Sequence, residues 1–463
     1  HGESHGDMDA RTLYEARLTT ADRAVQAIDS NSDLAMGMAV AEPPALLAAL
    51  ARRAEAGTLS DLRVWYLLSQ AHAGSTIFRR ALLGPIRPQC LFMSGVERAL
   101  IKADPAAEKL IDFVPTAFSG SPRVMRDEVG MDACVLTVSP MDADGYFSFG
   151  AANDYTSVIA HSARTVIVEV NPAMPRVACP APLHVSQVSA VVENHVPLLS
   201  FGEADAAPED EAIAAQIAEM IDDGACLQMG IGNLPGAVCR RIANRRDMGI
   251  HTELLTPALA RLAQQGAVNN RLKTTQPGLS VYSFAMGDDP FYRWMDANPQ
   301  VYSMPVDMVN DPAVIARNDK VVSVNATIQV DLQGACNSEF MGGHQHSAAG
   351  GQLDFVRGAY GSKGGLSVIA CRSTAKGGSV SRIVPKLDGP VTTPRNDVHW
   401  IVTEHGAANL RGKTLRERAE LLIGLADPKF RDELAKALCP PRPKTTPSPP
   451  RRRGPRFSSR EVE

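Results

Sequence analysis

At 463 residues the chain has material for two or three domains with real cores. Its 44% hydrophobic and 21% charged content is that of a soluble globular protein, and no apolar run approaches the ~20 residues that span a bilayer. Net charge is −4, but residues 440–463 carry seven Lys/Arg against two Glu, so the remaining body stands at −9, a poor platform for nucleic acid.

Residues 1–9 are expected to be a disordered or vector-derived start, with Met8 the natural first residue and no secretion signal. A helical segment over Ala10 to Ile28 precedes a buried strand over Leu34 to Ala39. Glu42-Pro43-Pro44 then opens a helix carrying Leu46, Leu47 and Leu50, which Gly57 closes. A strand over Leu62 to Leu68, a turn and helix over Gly95 to Lys102 and a strand over Ala133 to Val138 follow, an alternation that calls for a parallel sheet with helices on its faces.

One order of elements occurs twice. Val138 to Gly150 reads as a strand, a D-x-x-G-like turn and a return strand, then a helical stretch and the buried strand Thr165 to Val170. Val324 to Gly334 repeats this and, after a glycine-rich insertion, reaches Leu366 to Ala370. The chain therefore divides into a first α/β domain over 10–203, a linker over 204–210 and a second α/β domain over 211–438. The Pro/Arg-rich tail over 439–463 has too few apolar residues to fold, and a solvated tail is preferred to a phosphate or membrane role for Arg451-Arg452-Arg453.

The second half opens with a core stripe of Ile213, Ile217, Met220 and Ile221. Next comes LQMGIGNLPGAV, a strand from Cys226 to Met229, a glycine loop and a helix with Pro235 in its first turn. The free N–H groups there let an anionic or acyl oxygen approach Gly230, Ile231, Gly232 and Asn233; the alternative is a glycine turn needed only for packing, since the G-x-G-x-x-x-G spacing is not a dinucleotide fingerprint. The strand Ile250 to Leu255 holds a single carboxylate, Glu253, which is expensive there unless used or paired in a rim salt bridge. Residues 342–358 form the densest glycine segment, either a loop presenting N–H groups to an oxyanion or a surface loop. His344-Gln345-His346 within it lacks a third ligand, so no metal site is expected. Eight scattered cysteines without a C-x-x-C pair point to reduced thiols and a cytoplasmic protein.

Together GIGNLPGAV (230–238), GIHTEL (249–254), PVDMVNDPAVIARND (305–319), GGQLDFVRGA (350–359), STAKGG (373–378), VTEHGAANLRGKTLRERA (402–419) and DADGYFSFGAANDYT (142–156) resemble class I coenzyme A transferases, nearest the acetyl-CoA hydrolase/4-hydroxybutyrate CoA-transferase branch. The resemblance covers roughly residues 10–435. It implies two related open α/β domains with the active site in the cleft between them. Glu253 matches the family's nucleophile, Asn310 and Gly351 its oxyanion-stabilising groups, with Gly350 beside them in the substrate loop, and Glu404 a glutamate beside the carboxylate pocket. His405 and Gln329 depart from residues common in relatives.

The resemblance implies transfer of CoA from an acetyl-, succinyl- or butyryl-CoA to a small carboxylate such as 4-hydroxybutyrate, butyrate or itaconate. CoA is then a substrate, with no tightly bound cofactor, and a homodimer or homotetramer is expected. At the reference pKa of about 4.3, Glu253 would be ionised at neutrality and attack the thioester without a general base. An acyl-CoA hydrolase on the same scaffold, or a catalytically silent ligand sensor, are the alternatives.

Overall fold

The computed structural model describes residues 9–438 together with Pro447, Pro449 and Pro450. The expectations for the start before Asp9 and for the rest of the tail fall outside the described residues.

The first sheet has seven parallel strands, β1 (Ser32–Met36), β2 (Leu62–Tyr66), β3 (Ile86–Cys90), β4 (Asp112–Phe113), β5 (Ala133–Val138), β6 (Thr165–Val170) and β7 (Ala190–Glu193). They lie in the order β4-β3-β2-β1-β5-β6-β7. The central pairings set Leu34 beside Val64 on one side and Ala133 on the other. A parallel strand covered on both faces reads as a continuous apolar run, and all six residues of β5 are buried.

The second sheet contains β8 (Cys226–Met229), β9 (Gly249–Leu255), β10 (Ser280–Ala285), β11 (Val301–Ser303), β12 (Val321–Ala326), β13 (Leu366–Ala370), β14 (Trp400–Thr403) and β15 (Gly406–Asn409). Its order is β11-β10-β9-β8-β12-β13-β14-β15. Apart from the antiparallel edge strand β15, it repeats the first sheet strand for strand, so the duplicated order in the sequence is a duplicated topology. In both sheets the chain reverses direction between the first and fifth strands, the switch point where open α/β sheets place their ligands.

Two local readings change. The segment from Ala10 to Ile28 is not one helix but Ala10–Arg17 followed by Ala21–Ala24, because two capping side chains start helices of their own. Asp9 accepts the Arg11 N–H at 2.8 Å, and Thr20 accepts the Arg23 N–H at 3.3 Å. The return strands do not fold back on the sheet either. Tyr146–Phe147 pairs with Leu183–His184, and Gln329–Asp331 pairs with Cys336–Asn337 and Ile383–Val384, giving each half a small satellite sheet.

The halves share apolar cores: Leu254, Phe284 and Val306 pack into the first half, and Val40, Ala151 and Met174 into the second. The GAAND stretch of the 142–156 motif makes the junction. It lies against β10, with the Asn153 N–H donating to Ser283 O at 2.9 Å, the Ala285 N–H to Ala151 O at 2.7 Å, and the Tyr282 hydroxyl to Gly150 O at 2.9 Å. This fixes the cleft beside β9.

Candidate active site

β9 has the sequence GIHTELL, and period-2 alternation puts His251 and Glu253 on the same face. Ser283 on the neighbouring strand donates its hydroxyl to the Glu253 carbonyl at 2.8 Å, which fixes the backbone at the end of the strand. The Glu253 side chain projects into a cavity of about 210 Å³ between the halves. Met38, Leu67, Leu68, Phe92 and Phe118 come from the first half; Gln228, Gly230, Ile231, Phe284, Asn325 and the 347–352 loop come from the second.

The Asn310 amide nitrogen donates to Glu253 Oε1 at 2.9 Å. Asn310 follows the turn Val306–Val309, and His251 Nε2 lies 2.7 Å from the Val309 carbonyl, an acceptor only, so the ring must carry its proton there. Burial holds His251 neutral, its pKa lowered to about 4. One face of β9 therefore supplies both the carboxylate and the ring that pins the peptide carrying its hydrogen-bond donor.

Gly350 and Gly351 line the same cavity at the start of the helix Gln352–Gly361. A Cβ on Gly351 would overlap Glu253 Oε1 and the Asn310 amide nitrogen and lie 3.2 Å from the Glu253 carboxyl carbon. The backbone can therefore approach the carboxylate closely only as glycine. The Gln352 N–H is taken by the Ala349 carbonyl at 3.3 Å, which leaves the Gly351 N–H at the N-cap as the backbone donor that an oxygen charged next to Glu253 can use. Gln352 ties this helix start to the sheet, donating to Ala326 O at 2.8 Å and accepting the Ser338 and Thr393 hydroxyls at 2.8 Å each.

The environment overturns one premise of the sequence reading. Burial in an apolar cleft raises the Glu253 pKa to about 7; the Asn310 donor opposes the rise and the nearby Asp354 charge adds to it. Burial likewise lifts Asp354 to about 6, against the hydrogen bonds it accepts from Ser119. Glu253 is thus poised around neutrality rather than fully ionised.

The glycine loop is shared between two cavities. Gly230 and Ile231 line the first; Ile231, Gly232 and Asn233 line a second of about 280 Å³ together with Arg240 and Thr256. Gly232 has φ +124°, which an L side chain would strain. Ile231 stands 56% exposed where the two cavities meet.

Glu404 is not brought to this cleft: it lies between β14 and β15, where its carboxylate accepts the Ser373 N–H at 2.6 Å, and it does not line the cavity. His344 and His346 are not side by side on one acceptor; His344 Nδ1 meets Glu108 at 2.9 Å, and the His346 carbonyl accepts from Arg98 at 2.6 Å. The sequence reading missed Gln352 and Asp354, although both stand in its GGQLDF motif. It also missed the network of buried Gln228 and Ser323 with half-buried Asn325, in which Ser323 donates to Gln228 at 2.6 Å.

A carboxylate held by an amide donor, beside a glycine-rich helix start and between two related sheets, has the geometry that acyl chemistry through a carboxyl group requires. The chain belongs to the acetyl-CoA hydrolase/transferase family: the family's N-terminal domain matches residues 3–200 and its C-terminal domain residues 287–438. It is 40% identical over 430 residues to the 4-hydroxybutyrate coenzyme A transferase of Clostridium kluyveri, covering 92% of this chain and 98% of that one. Among solved structures it is similar to RipA from Yersinia pestis, with 53% identity, a TM-score of 0.89 and coverage of 93% and 98%. It is also similar to the 4-hydroxybutyrate CoA-transferase of Porphyromonas gingivalis, with 33% identity, a TM-score of 0.77 and coverage of 92% and 98%. The strand bearing Glu253 lies between the two matched domains.

Proposed function

We propose that this protein transfers coenzyme A from a short acyl-CoA to a small carboxylate, with Glu253 as the covalent carrier. The observation that carries this reading is the Glu253 carboxylate fixed by Asn310 at 2.9 Å with Gly351 pressed against it.

The ionised Glu253 oxygen attacks the thioester carbonyl, the C–S bond breaks, and an acyl-glutamyl anhydride and CoA thiolate result. The thiolate attacks the Glu253 carbonyl of the anhydride and releases the first carboxylate, leaving a glutamyl-CoA thioester. The acceptor carboxylate then attacks that thioester, and the returning thiolate takes the new acyl group and frees Glu253. Each addition places a negative charge on oxygen, and one preorganised donor such as the Gly351 N–H contributes about 2.7–4 kcal/mol to the transition state. Attack by the ionised carboxylate itself needs no general base.

The apolar wall of Met38, Leu67, Leu68, Phe92 and Phe118 suits a short acyl chain such as acetyl or butyryl, while the polar Gln228 and Asn325 suit a hydroxyl or carboxylate end such as those of 4-hydroxybutyrate, succinate or itaconate. The pantetheine arm runs over Ile231 into the second cavity, where Gly232, Asn233 and Arg240 face the phosphates. Seven free cysteines among the described residues fit a reducing cytoplasm, and two or four copies per assembly are proposed on the family resemblance.

The test is turnover of acetyl-, butyryl- and succinyl-CoA with and without acetate, butyrate, 4-hydroxybutyrate and itaconate. Thioester exchange that requires an added carboxylate supports transfer; equal CoA release without one would make the protein a hydrolase.

A further inference from the structure

Asp354 belongs to the GGQLDF motif, yet no step of the transfer uses it. It lies in the first turn of the helix that Gly351 opens, where a carboxylate is favoured by the helix dipole and most simply serves that helix. Its oxygens do otherwise. Asp354 Oδ1 accepts the Ser119 hydroxyl at 2.9 Å, and Oδ2 the Ser119 N–H at 3.4 Å, from the opposite half of the molecule. One residue earlier, the Phe118 N–H donates to the Gly350 carbonyl at 2.9 Å. The Phe118 ring is buried, lines the cavity and meets Phe284 edge-on at 6.0 Å. On its inner side Asp354 is close enough to the Asn310 amide, which donates to Glu253 at 2.9 Å, for that amide to favour its charged form. Asp354 is only 8% exposed. The bonds from Ser119 and Phe118 thus tie the first half to the helix start at Gly350 and Asp354, beside the Asn310 to Glu253 bond.

From this juxtaposition we propose that Asp354 is a positioning residue, a latch between the halves that, through Ser119, keeps the cleft closed over the glutamyl-CoA thioester and excludes water from it. The inference rests on the covalent role of Glu253. The competing reaction it suppresses is hydrolysis. A water oxygen bonds to the Glu253 carbonyl carbon, the C–S bond breaks, CoA leaves as the thiol with one water proton, the other proton goes to solvent, and the Glu253 carboxylate is regenerated. Such a leak would turn a transferase into an acyl-CoA hydrolase without altering its nucleophile.

The test compares wild type with Ser119→Ala, Ser119→Thr and Asp354→Asn. Each is given butyryl-CoA and acetate, and free CoA thiol is measured per acetyl-CoA formed. Intact mass after butyryl-CoA alone reports the adduct on Glu253. Loss of one hydrogen bond across the latch, about 1.4 kcal/mol, should raise hydrolysis per transfer about tenfold in Ser119→Ala and Asp354→Asn, with KM for butyryl-CoA within threefold. Ser119→Thr, which keeps the hydroxyl, should restore the wild-type partition; a merely structural serine would not produce that pattern. Adduct formation in every variant with an unchanged partition overturns the latch alone. Absence of the adduct in wild type overturns the covalent reading and the latch with it.

Discussion

Gly351→Ala adds one methyl group where the site has no room for it. The added methyl would overlap Glu253 Oε1 and the Asn310 amide and come within 3.2 Å of the Glu253 carboxyl carbon. Either the carboxylate leaves its donor or the helix start retreats, and in both cases the nucleophile and the Gly351 N–H lose their shared geometry. Forfeiting one oxyanion donor costs about 2.7–4 kcal/mol, a fall in kcat of about 100- to 1000-fold. The backbone itself is not the obstacle, since Gly351 has φ −100° and ψ 10°, open to alanine. The stability loss should therefore be that of local overpacking, about 1–3 kcal/mol, which leaves the protein folded while activity collapses. Initial rates over a range of butyryl-CoA and acetate concentrations, with a melting curve for each protein, make the comparison. A folded Gly351→Ala protein with kcat within threefold of wild type would refute the close approach as the reason for glycine.

The pH dependence follows from burial. Because Glu253 is raised to about 7 and attacks as the carboxylate, the acid limb of kcat/KM for acyl-CoA should fall near pH 7, and Asp354→Asn, by removing a neighbouring negative charge, should move it lower. A limb near pH 4.5 in wild type would remove the burial argument. The same shift has a stability consequence. A carboxyl whose pKa is higher folded than unfolded contributes no penalty below the unfolded value of about 4.5, a growing one as pH rises, and the full one above about 7. Glu253→Gln should thus abolish turnover yet stabilise the fold by on the order of 1–3 kcal/mol at pH 8 and by little at pH 4; equal melting shifts at both pH values would contradict this. Glu404→Gln, at a residue that does not line the cavity, should leave kcat within threefold, and a loss beyond thirtyfold would restore the glutamate to the carboxylate pocket. Leu67→Ala, which opens the apolar wall, should favour a longer acyl chain by about tenfold per methylene in the ratio of kcat/KM values for valeryl- and butyryl-CoA.

Much of the fold could be read from the chain because its strands are buried on both faces and announce themselves as apolar runs, as in ACVLTV of β5 and SVYSFA of β10. The duplicated order was legible for the same reason. What escaped were pairings between distant positions. The GAAND stretch was conspicuous, but nothing in its spacing says that it docks on a strand more than a hundred residues away. Ser119 carries no local signal at all, and its bond to Asp354 spans 235 positions. Glu253 stood out because a lone carboxylate in an apolar strand is costly. Its raised pKa did not, since that depends on walls supplied by Phe92, Phe118 and Phe284, which only the folded cleft assembles. Glu404 shows the reverse: its motif matches, yet the turn between β14 and β15 directs its carboxylate to the Ser373 N–H.

The most direct test of the account is the intact mass of the protein after incubation with acetyl-, butyryl- or succinyl-CoA alone, followed by borohydride reduction and peptide mapping. A CoA-sized adduct on Glu253, absent from Glu253→Gln, is the predicted result. A folded, CoA-binding protein that forms no adduct with any of the three, or forms it on another residue, would contradict the covalent mechanism.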